Sequence, residues 1–307
     1  MLQAAANTIS YHYVENDQKY CPVSTLDHTL CFKDNLVEPR FFSFLDGSEI
    51  TNETMPAFLE RVTKDAQENR YENTDHLFTL IEVGSVSFLY VSLDNSVRAN
   101  SNGHPLSGRL NNICDAVAMC LEKLERCVVF FSESCREFPN VSWFKIRQTI
   151  SERCGLKYLG ECANNEDACS MAFGISAFCT EACVDLIYAI LPRHISTFEF
   201  GSGSVGVKLV TGEIVWGIHF PIDFRRTGDE NSQFKAMTGL VDVMRKHEGS
   251  VAAIGDFNTI PGNPIIGTVG AIPDDMEMLG WDLPTFFGAF YDVIPAGRGD
   301  DWVLYQA

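Results

Sequence analysis

The spacing of hydrophobic positions changes near residue 86. Before it, polar stretches such as VENDQKY, FLDGSEITNET and KDAQENRYENTD separate short apolar pieces. In that part, residues 55–70 set Phe58, Leu59 and Val62 on one side of an amphipathic helix, and residues 77–83 read as a strand. After it, strands and helices alternate. SFLYVSL is a strand, residues 109–125 form a helix with Leu110, Ile113, Val117, Leu121 and Leu124 on one face, and residues 127–131 form a buried strand. Further helices are expected over 141–153 and 232–247. MAFGISAF, VDLIYAIL, SVGVKLV, EIVWGIHF and SVAAIGDF read as successive strands. Strands outnumber helices, which predicts an α/β (α+β) fold of two packed sheets with helices outside them. The same change of pattern divides the chain into an extension of unknown role, residues 1–85, regulatory, a partner surface or part of the first sheet, and a domain over 86–307.

Composition narrows the class. Of 307 residues, 46% are hydrophobic and 21% charged, and no apolar run is long enough to span a bilayer, so a globular chain is expected. The opening MLQAAANTISYHYV has neither a basic start nor a continuous apolar stretch, so no secretory signal is expected and an intracellular location, cytoplasmic or nuclear, follows as the default. The 11 cysteines form no C-x-x-C pair, and their closest spacing is Cys179 to Cys183, which suits buried thiols better than zinc ligands. A net charge of −18 argues against a large basic face for nucleic acid. It leaves a local site open, because divalent cations in a carboxylate-rich cleft invert the field felt by a phosphate.

Five segments carry candidate chemistry. SVAAIGDFNTIP runs an apolar strand into Gly255-Asp256-Phe257-Asn258. Glycine permits close backbone approach there, Asp256 is placed to orient or deprotonate a water, and Asn258 to donate to a phosphoryl oxygen or position a metal ligand. The alternative for this piece is an Asx-type turn closing the strand. GEIVWGIHFPIDF ends a strand in His219, whose imidazole can donate to a phosphate oxygen or protonate a leaving alkoxide; Arg225 and Arg226 follow in a polar loop. CVVFFSESCREF sets Glu133 just past an apolar strand, a rigid place for a hard oxygen ligand to Mg²⁺. FLYVSLDNS ends in Asp94-Asn95, either of which would share a metal with Glu133 if the two strands are neighbours, as the helix between them predicts. Finally, Asp301 opens the apolar strand DWVLY, after the Thr285-Phe286 segment.

Taken in this order, the five pieces over residues 86–307 resemble the endonuclease/exonuclease/phosphatase superfamily, to which deoxyribonuclease I belongs. The resemblance implies a four-layer α/β/β/α sandwich of two mixed sheets. It implies a metal-dependent hydrolase of phosphoester bonds, a nuclease, phosphodiesterase or phosphatase, using Mg²⁺ or Mn²⁺. Asn95 (or Asp94) and Glu133 match the metal-holding strand ends, with Ser132 where the family often has Gln; His219, Asp256, Asn258 and Asp301 match the catalytic positions. Implied partners are a phosphoester substrate, either nucleic acid or an inositol phosphate or phospholipid head group. The family's closing Ser-Asp-His has no counterpart before Ala307, so either the chain is truncated there or that histidine is absent by nature, and in the family the equivalent of Asp301 buttresses it. A domain of the same fold that binds a phosphate ligand or a protein without turnover is therefore the alternative. A second register is also open, with His12 in the Asn position and Glu82 of DHLFTLIEV as the metal ligand. Glu133 is preferred because it follows a strand-helix pair, whereas Glu82 would leave a whole strand-helix-strand unit as an insertion.

Overall fold

The computed structural model describes residues 40–43, 45–51, 53–58, 60–61, 77–93, 107–133, 143–162, 174–194, 203–219, 239–240, 242–257, 292–296 and 301–305. Thirteen strands among them form two mixed sheets. The first has the order β2-β1-β3-β4-β5-β7-β6, built from β1 (Arg40–Ser43), β2 (Glu49–Ile50), β3 (Leu77–Val83), β4 (Val86–Ser92), β5 (Cys127–Ser132), β6 (Lys157–Cys162) and β7 (Ile175–Cys179). The second has the order β12-β13-β11-β10-β9-β8, built from β8 (Ile187–His194), β9 (Gly203–Leu209), β10 (Ile214–His219), β11 (Ser250–Asp256), β12 (Asp292–Ala296) and β13 (Asp301–Tyr305). Helices α1 (Ser107–Leu121) and α2 (Trp143–Cys154) lie on the outer face of the first sheet. Residues 242–246 are helical and bury Val243 and Met244, while Trp216 of β10 packs on His247 at 5.4 Å. This is the two-sheet sandwich that the resemblance implies.

Alternation along the central strands builds two cores at once. In β4, Leu89 and Val91 point to the helices, with Leu93 just beyond the strand, and Val86, Phe88 and Tyr90 point to the second sheet. In β5, Cys127, Val129 and Phe131 join the first set, and Val128 and Phe130 the second. A strand buried on both faces has no polar side to show, which is why SFLYVSL and CVVFFS read as continuous apolar runs. The inter-sheet layer is thin at several glycines: a Cβ on Gly160 of β6 would crowd Ile190 of β8, and one on Gly203 of β9 would meet Cys162 of β6. A Cβ on Gly217 of β10 would collide with the Phe130 ring, so the absence of a side chain there lets the sheets approach.

The two sheets repeat one topology. In the first, β1, β3, β4, β5, β6 and β7 follow in the chain and lie in the order β1-β3-β4-β5-β7-β6; in the second, β8 to β13 lie in the order β8-β9-β10-β11-β13-β12. In each, the central pair is parallel, β4 with β5 and β10 with β11, and every other pairing is antiparallel. The parallel pairs each need a crossover, which α1 supplies in the first half.

Several expectations shift. The division at 85/86 falls in the turn of the β3/β4 hairpin, where Val83 pairs with Val86, and β1, β2 and β3 belong to the same sheet as β4. Of the alternatives for residues 1–85, part of the first sheet holds for β1, β2 and β3; β1 and β2 are short and only partly buried, too little for the pattern to show. In VDLIYAIL the first residues close a 3-10 turn, Glu181–Leu186, and the strand begins only at Ile187. Strands β6 and β12 carry too little alternation to register in the pattern; β6 runs as KYLGEC, half-exposed through most of its length. All seven cysteines among the described residues are free and buried.

Candidate active site

The geometry starts from the pleat. On β10, Val215 and Gly217 face the first sheet, so His219 two residues on faces it too. On β11, Ala252 and Ile254 face it, and Asp256 follows. The parallel register sets His219 opposite Asp256 at the same end of the sheet. Both are buried, with relative exposures of 1% and 5%. Gly255 serves the approach that GDFN predicts, since a Cβ at that position would collide with the Ile218 carbonyl oxygen of the neighbouring strand.

Glu133 reaches the same place by breaking the pattern. In a regular strand it would follow Val129 and Phe131 toward the helices. Instead it adopts φ 53°, the one positive φ among the described non-glycine residues. That left-handed conformation ends the alternation and is costly for a residue with a Cβ, about 1–2 kcal/mol. Its carboxylate Oε1 lies 4.0 Å from His219 Nε2, and Asp256 Oδ2 lies 3.8 Å from the same nitrogen. These separations are longer than a hydrogen bond. Ligand atoms of Glu133, His219 and Asp256 all fall within 4.8 Å of one another, and all three residues are buried. Backbone outliers of this kind cluster at functional sites, which makes Glu133 a candidate.

Two carboxylates and an imidazole converging on one buried point fit a small divalent cation. The carboxylate oxygens suit a hard ion such as Mg²⁺ or Mn²⁺. Glu133 is the residue of this set that would hold it through oxygen, with Asp256 and His219 beside it.

The remaining sequence candidates divide by location. Asp94, Asn95, Asn258, Arg225, Arg226, Thr285, Phe286 and His12 lie outside the described residues. Strand β4 nevertheless aims at the site: β4 and β5 are parallel neighbours, Ser92 pairs with Ser132, and the Leu93 amide donates to the Ser132 carbonyl at 3.2 Å. Asp301 opens β13 in register with Asp256, so its backbone stands beside the cluster. Glu82 lies elsewhere. It pairs with Ser87 at the opposite end of the antiparallel β3/β4 hairpin, half-exposed and 3.9 Å from Arg40.

One feature escapes the sequence reading. The Tyr90 hydroxyl, fully buried between the sheets, hydrogen-bonds the Ser132 hydroxyl at 2.7 Å, directly before Glu133. A signal existed: a tyrosine in a strand buried on both faces must find a partner for its hydroxyl.

No family profile matches the chain, and no curated protein is similar in sequence. Solved structures do align with it. D. rerio TDP2 complexed with single strand DNA product is 17% identical over 72% of this chain and 84% of that one, with a TM-score of 0.42. ANGEL2, a 2',3'-cyclic phosphatase, is 12% identical over 71% and 81%, with a TM-score of 0.44. An endonuclease/exonuclease/phosphatase family protein from Bacteroides thetaiotaomicron is 10% identical over 72% and 83%, also at 0.44.

Proposed function

We propose that this chain is a divalent-metal-dependent hydrolase of phosphoester bonds. The observation that supports the reading is the convergence of Glu133, His219 and Asp256 from three strand ends on two sheets into one buried cluster within 4.8 Å. A buried cluster of two acids and an imidazole is expensive to keep for stability alone, because each buried charge must offset its lost hydration.

In this reading Glu133, with Asn95, would hold the cation. A bound Mg²⁺ or Mn²⁺ supplies Lewis-acid polarisation of a phosphoryl oxygen. Asp256 accepts a hydrogen bond from the attacking water and so fixes its direction. His219 and Asn258 donate to the phosphoryl oxygens as negative charge develops on them, which in a site with little water is worth far more than in solution. Asp301, whose backbone pairs with that of Asp256, orients the groups around it. The substrate class is a phosphate mono- or diester: nucleic acid, an inositol phosphate or a phospholipid head group all present the same bond to these residues.

The test is hydrolysis of an aryl phosphodiester and of plasmid DNA with Mg²⁺ or with EDTA, comparing the wild-type chain with Asp256→Ala and Glu133→Ala. Metal-dependent turnover that falls by about 10²–10⁴ in both variants is the expected result. Wild-type rates equal to those of Asp256→Ala, across phosphate monoesters as well, would instead favour a domain of this fold that binds a phosphate ligand without turnover.

A further inference from the structure

We infer that Tyr90 is a positioning residue for the metal-holding carboxylate of Glu133. The inference rests on the proposed metal site and concerns how that site is held.

Glu133 presents its carboxylate to His219 only because its backbone leaves the strand at φ 53°. A relaxed strand conformation would return the side chain to the parity of Val129 and Phe131, on the far side of the sheet. Something must hold the residue before it. Three contacts do so at the end of β5: the Leu93 amide on the Ser132 carbonyl at 3.2 Å, the Ser176 hydroxyl on the Phe131 carbonyl at 3.4 Å, and the Tyr90 hydroxyl on the Ser132 hydroxyl at 2.7 Å. The first is a backbone contact between neighbouring strands, and the second is a buried serine side chain on a carbonyl two residues before Glu133. The third joins two side chains that are both buried, on parallel strands, one residue before the strained position. Tyr90 is itself fixed, with its ring among Val128, Phe130 and Ile254 in the inter-sheet core. The bond therefore ties the turn at Glu133 to the body of the core instead of to a neighbouring loop. Groups that hydrogen-bond a metal ligand directly change affinity by about 10–100-fold when removed, and this bond acts one residue away, so the lower end of that range is expected.

The experiment measures Mn²⁺ binding to the full chain by the paramagnetic signal of free ion, well below the melting temperature, with a parallel thermal melt in EDTA. Wild type is compared with Tyr90→Phe, Ser132→Ala, the double variant and Glu133→Gln. The expected result is about tenfold weaker binding in Tyr90→Phe. Ser132→Ala should match it, and the double variant should be no weaker than either, because all three break one bond. A purely structural role would lower the melting temperature and leave the dissociation constant of the folded protein in place. A change of less than threefold in both single variants, with Glu133→Gln losing the ion, overturns this inference and spares the metal site. Wild type that fails to bind Mn²⁺, or Glu133→Gln that still binds it, overturns the metal site and this inference with it. If Tyr90→Phe does not fold, Ser132→Ala reads the same bond from its other end.

Discussion

Replacing Glu133 by glycine and by alanine separates its backbone from its carboxylate. Both substitutions remove the same charged group from the cluster with His219 and Asp256, so the stability difference between them reports only the main chain. At an ordinary strand position alanine is the better residue, by about 0.5–1 kcal/mol, because glycine loses more freedom on folding. At φ 53° the order should reverse. Alanine keeps a Cβ in the left-handed region, at a cost of about 1–2 kcal/mol that glycine escapes. Subtracting glycine's entropy leaves Glu133→Gly more stable than Glu133→Ala by about 1 kcal/mol. In a domain of this size that corresponds to about 2–4 °C in melting temperature. Differential scanning fluorimetry in EDTA, with urea midpoints as a second measure, reads it directly. Hydrolytic activity should be lost equally in both. Alanine at or above the stability of glycine would refute the claim that strain is stored at this residue, and with it the account of how Glu133 turns toward the site.

Other outcomes follow from the same geometry. Gly217→Ala should cost about 1–3 kcal/mol in chemical denaturation, since the added methyl collides with the Phe130 ring, and Phe130→Leu in the same chain should recover part of it. Glu82→Gln should leave metal-dependent turnover within about twofold of wild type, because Glu82 pairs with Ser87 at the far end of the hairpin; a loss as large as that of Glu133→Ala would restore the other register. Stability should fall at high pH. Burial pushes the Cys120 and Cys179 thiols up to about 12 from an ordinary 9.0. A folded value above the unfolded one means the contribution is complete below pH 9 and is lost between about 9 and 12, at about 1.4 kcal/mol per pH unit for each thiol. Melting curves at pH 8 and pH 10.5 check this, and Cys120→Ala should flatten the dependence.

The central strands were legible because burial on both faces writes continuous apolar runs, and β4, α1, β5, β9, β10 and β11 lie where the pattern puts them. His219 and Asp256 were legible for a related reason: each is the first polar residue at the end of such a run, in step with the inward parity of its strand. Glu133 was found only through its position after a strand, and periodicity alone would have turned it the wrong way. A backbone outlier leaves no trace in the order of hydrophobic and polar residues. The edge strands were hidden because they are short and half-exposed, so they lack the contrast on which pattern reading depends. Nor does a sequence show which tyrosine reaches which serine across 42 positions.

Within each sheet, ladder hydrogen bonds act as a ruler. They set His219 against Asp256 with little room for variation. Among the described residues no ladder joins the two sheets, and the gap from Glu133 to the other two residues depends on what packs between the sheets, Phe130 against Gly217 and Cys162 against Gly203 among them. The working distance of this site is thus written in core volume. Substitutions deep in the interior, touching neither substrate nor metal, should adjust reactivity in small steps by opening or closing the two repeated halves like the jaws of a vice, while changes along either ladder should be all or nothing.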